Sequence, residues 1–447
     1  MRLYAEVNEF YKNHIKEHPE ASSQGAARMR KAAKYSSLYW DDKDRKGLYI
    51  PKIYDGQTVE DFKRICALTH SICSKVIREF KAHEDFRALY DFPEELLELI
   101  MLPAPYEGCL PIARFDIFYN EETGDFKFCE LNTDGCAAMM RDLEFSRLLA
   151  ENPAHTAALR KYDIESFELF DTWVKEFLEL YRTYPKHVEN PHVVITDYLE
   201  DGTVPDFEEF ARHFGKAGVS CEIVDVEDLL YTDGALYAPS GLKVDAIYRR
   251  AVTTDVIKFL DRSRTLVDAV KDDAVFIAGA FDTEIVHTKW LFYILHLDRT
   301  KKILTDEERE FVEKHVPFTA EFSEGHISLE EVLANKDRYI LKPMDSYASK
   351  GIYAAGHEYS QADWEKTAKE LYGTGYICQE FCWPYQSENF ELDWEDGKSR
   401  MYGNMPGLYT YRGRFAGVFL RLAEGSNIIV PFENERTLPA LWVKGRR

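Results

Sequence analysis

Ala113-Arg114-Phe115-Asp116 and Cys129-Glu130-Leu131-Asn132 are two strand-like stretches separated by Glu121-Glu122-Thr123-Gly124-Asp125. Gly124 suits the left-handed third position of a three-residue hairpin loop. That register sets Asp116 opposite Glu130 and Arg114 opposite Asn132. Residues two apart on a strand share a face, so one face presents Arg114, Asp116, Glu130 and Asn132 together. Two carboxylates and an amide oxygen form a hard oxygen set of the kind that suits magnesium, which keeps waters and shares itself with phosphates. Arg114 then belongs beside a phosphate or carboxylate. The plainer alternative is an exposed polar face. Against it, opposed carboxylates destabilise a sheet unless something neutralises them.

A second constellation lies further along. Tyr339-Ile340-Leu341-Lys342-Pro343 is an apolar strand that delivers a lysine at its end, followed by the loop Met344-Asp345-Ser346-Tyr347-Ala348-Ser349-Lys350-Gly351. Strand-end lysines reach phosphates as point charges, and small-residue loops offer them backbone N–H groups. Most lysines are simply solvated, but the strand of Lys342 is otherwise apolar. Lys289 lies upstream on a predicted helix from His287 to Leu297. A third piece, Gly375 to Phe381, reads as a strand whose backbone edge at Gln379-Glu380-Phe381 could pair with an adenine, although alone it reads as ordinary core.

Around these motifs the first hundred residues read mainly as helix. Thr58 and Asp61 have capping-box spacing, and Phe62, Ile65, Cys66, Ile72, Cys73, Val76, Ile77 and Phe80 recur at helical spacing. Residues 142–183 read as helix broken near Pro153. His192–Thr196, Asp206–Lys216 and Cys221–Val226 read as a βαβ unit, followed by a hairpin from Leu236 to Ile247. Gln361–Tyr372 reads as helix, and strands dominate after Tyr376.

These pieces, in this order, resemble the glutathionylspermidine synthase-like, circularly permuted ATP-grasp family, from about Leu110 to the C-terminus. The resemblance implies an α+β fold: a helical region over 1–105, a metal-binding hairpin and helices over 106–188, a pre-ATP-grasp-like α/β domain over 189–282 and nucleotide-binding lobes over 283–447. In ordinary ATP-grasp enzymes the acidic/Asn pair follows the two lysines; here it precedes them, which is the permutation. By this resemblance Asp116, Glu130 and Asn132 hold Mg2+. Lys289, Lys342, Lys350, Gly351, Gln379, Glu380 and Phe381 bind ATP, and Arg114 and Arg421 act on the transferred phosphoryl group. Tyr248-Arg249-Arg250 ends the pre-ATP-grasp unit with arginines directed to the site. The implied activity is an ADP-forming ligase joining a small-molecule carboxylate to an amine, a peptide or polyamine among the candidates, through an acyl phosphate. A small-molecule kinase and a non-catalytic nucleotide-binding protein on the same fold are the competing classes. The phosphate loop departs from the family in being poor in glycine.

Composition bounds these readings. With 447 residues, 45% of them hydrophobic, the chain can bury several packed units. A net charge of −22 opposes binding to nucleic acid, and otherwise serves solubility or a cationic ligand. The eight cysteines form no CxxC pair and predict reduced thiols. No apolar run reaches the ~20 residues of a membrane span, so the expected location is cytoplasmic.

Overall fold

The computed structural model describes residues 2–40, 43–44, 46–106, 109–344, 351–354, 359–394, 397–425 and 434–447. The hairpin pairs Ile112–Tyr119 with Phe126–Asn132, and Asp116 faces Glu130 and Arg114 faces Asn132, as the sequence predicts. The route to that register differs from the expectation. Asn120 and Asp125 close the turn, one residue wider than a three-residue loop, with Gly124 at φ 77°. A bulge at Cys129 then takes up the extra residue, because Ile117 already faces Phe128. Two one-residue departures cancel before the chain reaches Glu130.

The hairpin is not free-standing. Ile112–Tyr119 also pairs antiparallel with Arg400–Tyr411, which pairs with Arg414–Glu424 and with Tyr385–Asn389. Residues from the first third and the last seventh of the chain therefore share one sheet. Alternation gives its faces opposite tasks. Ala113, Phe115 and Ile117 are buried against the helix Gly56–Ala82, through Phe62, Ile65, Val76 and other apolar residues of its stripe. Each such fully buried large side chain contributes roughly 1.5–3 kcal/mol. The opposite face carries Arg114, Asp116, Glu130 and Asn132. The helix begins at Gly56 and is capped by the Asp55 carboxylate, which accepts from the Thr58 amide; the expected Thr58/Asp61 box is not the cap.

A second sheet is parallel, in the order Phe276–Ala278, Ala246–Arg249, His192–Asp197, Ser220–Asp225, with Val204–Lys216 as the crossover helix. Ala246–Arg249 is thus a parallel strand rather than the second arm of a hairpin. The chain does turn back around Pro239-Ser240-Gly241, through an antiparallel bridge between Tyr237 and Lys243 with Val244 N–H donating to the Leu236 carbonyl at 2.8 Å, and a further hairpin lies just upstream, Leu230–Thr232 with Ala235–Tyr237, around Asp233-Gly234. Both turn residues have positive φ, the two-residue turn that an Asp-Gly pair favours.

A third sheet has the order Thr319–Glu321, Tyr376–Glu380, Tyr339–Pro343, Tyr353–Ala354. Its Tyr339, Leu341 and Cys378 pack on Trp364 and Val332 of the covering helices, which leaves Ile340, Lys342, Ile377 and Gln379 on the other face. The C-terminal strand Ala440–Arg446 lies between Lys52–Asp55 and Tyr162–Ser166; the last of these is a strand where helix was expected. No helix among the described residues is long and apolar enough to cross a membrane, and the eight cysteines are free.

Candidate metal and nucleotide site

The polar face of the hairpin sheet meets the Lys342 face of the third sheet. Between them a narrow cleft, with room of about 10 Å³, is lined by Glu130, Cys129, His287, Lys289, Lys342 and Gln379 among others. Thr288 also lines an adjoining open groove of about 420 Å³.

Asp116 is fully buried. Arg114 donates to it twice, Nε to Oδ1 at 2.7 Å and Nη2 to Oδ2 at 2.9 Å, and Asn132 Nδ2 donates to Oδ2 at 3.2 Å. Burial pushes the Asp116 carboxyl up from its ordinary range, and Arg114 opposes it. The Arg114 guanidinium also donates to the Ala137 carbonyl at 3.1 Å and lies 5.1 Å from the centroid of the Phe419 ring. Arg114 is therefore committed to Asp116 and its surroundings.

Glu130 has the opposite surroundings. Burial alone would raise its pKa, but Arg421, Lys289, Arg114 and Lys342 hold the carboxyl well below the usual carboxylate range. These four cations come from four separate stretches of chain and converge on one carboxylate. This arrangement also answers the repulsion expected between Asp116 and Glu130: Arg114 neutralises the first, and the converging cations neutralise the second. Arg421 sits opposite Met405, two residues from Gly407, which faces Asp116. Its Nη2 reaches Met405 Sδ at 3.5 Å, and its buried Nε has no hydrogen-bond partner among the described residues.

Lys342 donates to Gln379 Oε1 at 2.7 Å, and Gln379 Nε2 donates to Thr319 Oγ1 at 2.9 Å. The relay turns the amide oxygen toward the lysine. Lys127 spans from the hairpin to Glu380 at 3.7 Å. The expected free backbone edge at Gln379–Phe381 is not there: the strand is interior, with Glu380 N–H donating to the Phe318 carbonyl and Phe381 N–H to the Arg338 carbonyl. Gly351, at φ 69°, backs onto Pro343 and Tyr376. Lys350 lies outside the described residues. Lys289 stands in a turn after the 3-10 helix Phe281–Val286, since the following helix spans only Leu291–His296.

Several contributors escaped sequence reading. Gly407 lets the Arg114–Asp116 pair lie across its backbone; a β-carbon there would come within 2.8 Å of Arg114 Cδ. An isolated glycine inside a strand is the available signal for such an approach. Arg249 does not face the cleft. It is buried against Asp134, just beyond the hairpin, and donates to the carbonyls of Gly279 and Ala251. Asp134 in turn accepts from Thr253 N at 2.6 Å. This clamp fixes the hairpin exit to the ends of the parallel strands.

The donor set fits a hard divalent cation. Asn132 spends its amide nitrogen on Asp116, which leaves its oxygen for a cation beside Glu130. The orphaned Arg421 Nε fits an anion. Asp116, with both oxygens taken, stands behind this pair.

No family model matches the chain, nor does any curated protein. Among solved structures, the chain is similar to a glutathione synthetase-like effector (GSS30) from Globodera pallida in its apo form, with a TM-score of 0.60 and 11% identity, covering 93% of this chain and 96% of that one. A putative gamma-glutamylcysteine synthetase from Methylobacillus flagellatus KT aligns at a TM-score of 0.42 and 10% identity, over 88% of this chain and 90% of that one. The first likeness shows a mixed helix-and-sheet fold of the glutathione synthetase-like kind.

Proposed function

We propose that the chain is an ATP- and magnesium-dependent carboxylate–amine ligase of the circularly permuted ATP-grasp type, similar to glutathionylspermidine synthases. The observation that supports this most is the convergence of Arg421, Lys289, Arg114 and Lys342 on Glu130. A lone carboxylate needs no such surplus of cations; a triphosphate with its metal does. The synthetase-like name of the structural neighbour supports the same class.

In this reading Glu130 and Asn132 hold Mg2+ directly, with Asp116 behind them. Bound there, the metal supplies neutralisation of the charge that builds as the terminal phosphoryl group moves. Lys289 and Lys342 hold the inner phosphates. Arg421 orients the transferred phosphoryl group, as positioned cations do elsewhere, and Arg114 holds Asp116 in place. The substrate carboxylate attacks the γ-phosphorus and ADP leaves. The amine then attacks the acyl carbon, losing a proton, and phosphate leaves. A small-molecule carboxylate and amine are the partners, and the compartment is the cytoplasm.

The test is a screen of carboxylate–amine pairs for ADP release that requires the amine, with Asp116→Ala and Lys342→Ala as controls. The reading expects both variants to lose turnover. A stable phosphorylated product without any need for amine would make the protein a kinase. Variants that match the parent would refute the site.

A further inference from the structure

The loop that carries Lys289 and the strand that carries Asn132 are far apart in sequence, yet the site needs both in one frame. The contacts between them converge on few side chains. Thr133 N–H donates to His287 Nδ1 at 3.3 Å, and His287 lines the cleft together with Leu131. Leu131 and Thr133 flank Asn132, so the imidazole is tied to the stretch of strand that carries the amide ligand. Thr133 Oγ1 donates to the Thr283 carbonyl at 2.9 Å, and Thr283 Oγ1 donates to Asp134 Oδ1 at 3.2 Å. On the other side, His287 is two residues from Lys289. Thr288, between them, accepts the Trp290 amide at 3.2 Å, which starts the turn that aims the lysine. His287 also lines the cleft with Glu130, Lys289 and Lys342. The bond from Thr133 to His287 thus joins the hairpin strand to the turn that carries Lys289.

We infer that His287 is a positioning residue: its ring sets Asn132 and Lys289 in one frame, so that the cation site and the phosphate-binding lysine act on the same ligand. This rests on the nucleotide-site reading above. Because the ring works through bonds that other groups use, it alters affinity without touching the ligand. Its loss loosens the two ends independently of each other, and the coupling between them disappears.

The experiment is calorimetric titration of MgADP into the full chain and its variants, with thermal unfolding of each recorded alongside. His287→Leu keeps the buried volume and removes the bond to Thr133. His287→Asn keeps an acceptor near the Nδ1 position. The expected result is that His287→Leu weakens MgADP binding about tenfold, the scale of one buried hydrogen bond, and that His287→Asn stays within about twofold of the parent. In an Asn132→Ala or Lys289→Ala background, His287→Leu should add less than about twofold, since coupled residues are not additive. A role confined to stability would lower the melting temperature and leave that coupling absent. Parent-like binding by His287→Leu, no rescue by asparagine, or a full tenfold loss added in both backgrounds would each overturn the inference while leaving the site reading intact. A parent that takes up no MgADP would overturn both.

Discussion

The ion pair of Arg114 and Asp116 lies across the backbone of Gly407 on the neighbouring strand: a β-carbon there would come within 2.9 Å of Arg114 Nε and closer still to Asp116 Oδ1. The pair and the glycine form one packed unit, in which the arginine has no other place to go.

Gly407→Ala should therefore displace the pair rather than be absorbed. Overpacking of this kind costs about 1–3 kcal/mol. Chemical denaturation should show that loss, and binding of Mg-nucleotide should weaken beside it. Unchanged stability and binding would mean that the strands give way without disturbing Asp116.

The clamp of Arg249 on Asp134 is almost entirely buried, at 1% and 0% side-chain exposure. Arg249→Met leaves Asp134 charged without its partner. Breaking one member of a buried pair costs roughly 3–5 kcal/mol, so the variant should unfold at clearly lower denaturant. Asp134→Asn with Arg249→Met should recover part of the loss, because no uncompensated charge then remains.

Asp142 gives the chain a pH dependence. It is buried, it accepts from the Ala440 amide at 3.0 Å, and burial pushes its carboxyl up to about 7. The folded state thus holds a proton that the unfolded state, titrating at about 3.9, has released. The stabilising contribution is complete below the unfolded value, and it is lost as pH rises toward about 7. Asp142→Asn keeps the bond to Ala440 without ionising. It should be more stable than the parent at about pH 8 and converge with it near pH 4. Equal pH profiles for the two proteins would contradict this.

The Lys342–Gln379 contact is a charge-assisted bond between neighbouring strands, 2.7 Å long. Hydrogen bonds to charged groups contribute about 1.5–3 kcal/mol. Lys342→Met removes the charge from an apolar strand that tolerates methionine, so ATP affinity should fall by roughly tenfold to a hundredfold while the fold persists. A circular dichroism spectrum like the parent's, with binding lost, is the expected combination.

Much of this architecture is legible in the residues. The hairpin announces itself by its carboxylates and Gly124, and the lysine strand by its apolar run. The βαβ unit is visible in the spacing of its elements. What escaped has physical reasons. The bulge at Cys129 leaves no mark in composition, and it happens to compensate a wider turn. Asp233-Gly234 makes a turn of its own just before the expected one at Pro239-Ser240-Gly241, and two turns so close together read as one. Tyr162–Ser166 becomes a strand because the distant segment Ala440–Arg446 pairs with it, a tertiary effect that overrides local preference. The bonds that occupy the Glu380 and Phe381 amides come from Phe318 and Arg338, neighbours that single-strand reading cannot supply. Arg249 turns away from the cleft because its partner Asp134 lies far away in sequence, where no local pattern points to it.

The central claim is that Glu130, held ionised among four cations, is where a metal joins a nucleotide to this fold. The most direct measurement is a calorimetric titration of ATP, with and without Mg2+, into the parent and into Glu130→Gln. The account predicts tight binding by the parent that requires Mg2+, and weak binding by Glu130→Gln that no longer responds to the metal. Magnesium-dependent binding that survives in Glu130→Gln, or no ATP binding by the parent, would contradict it.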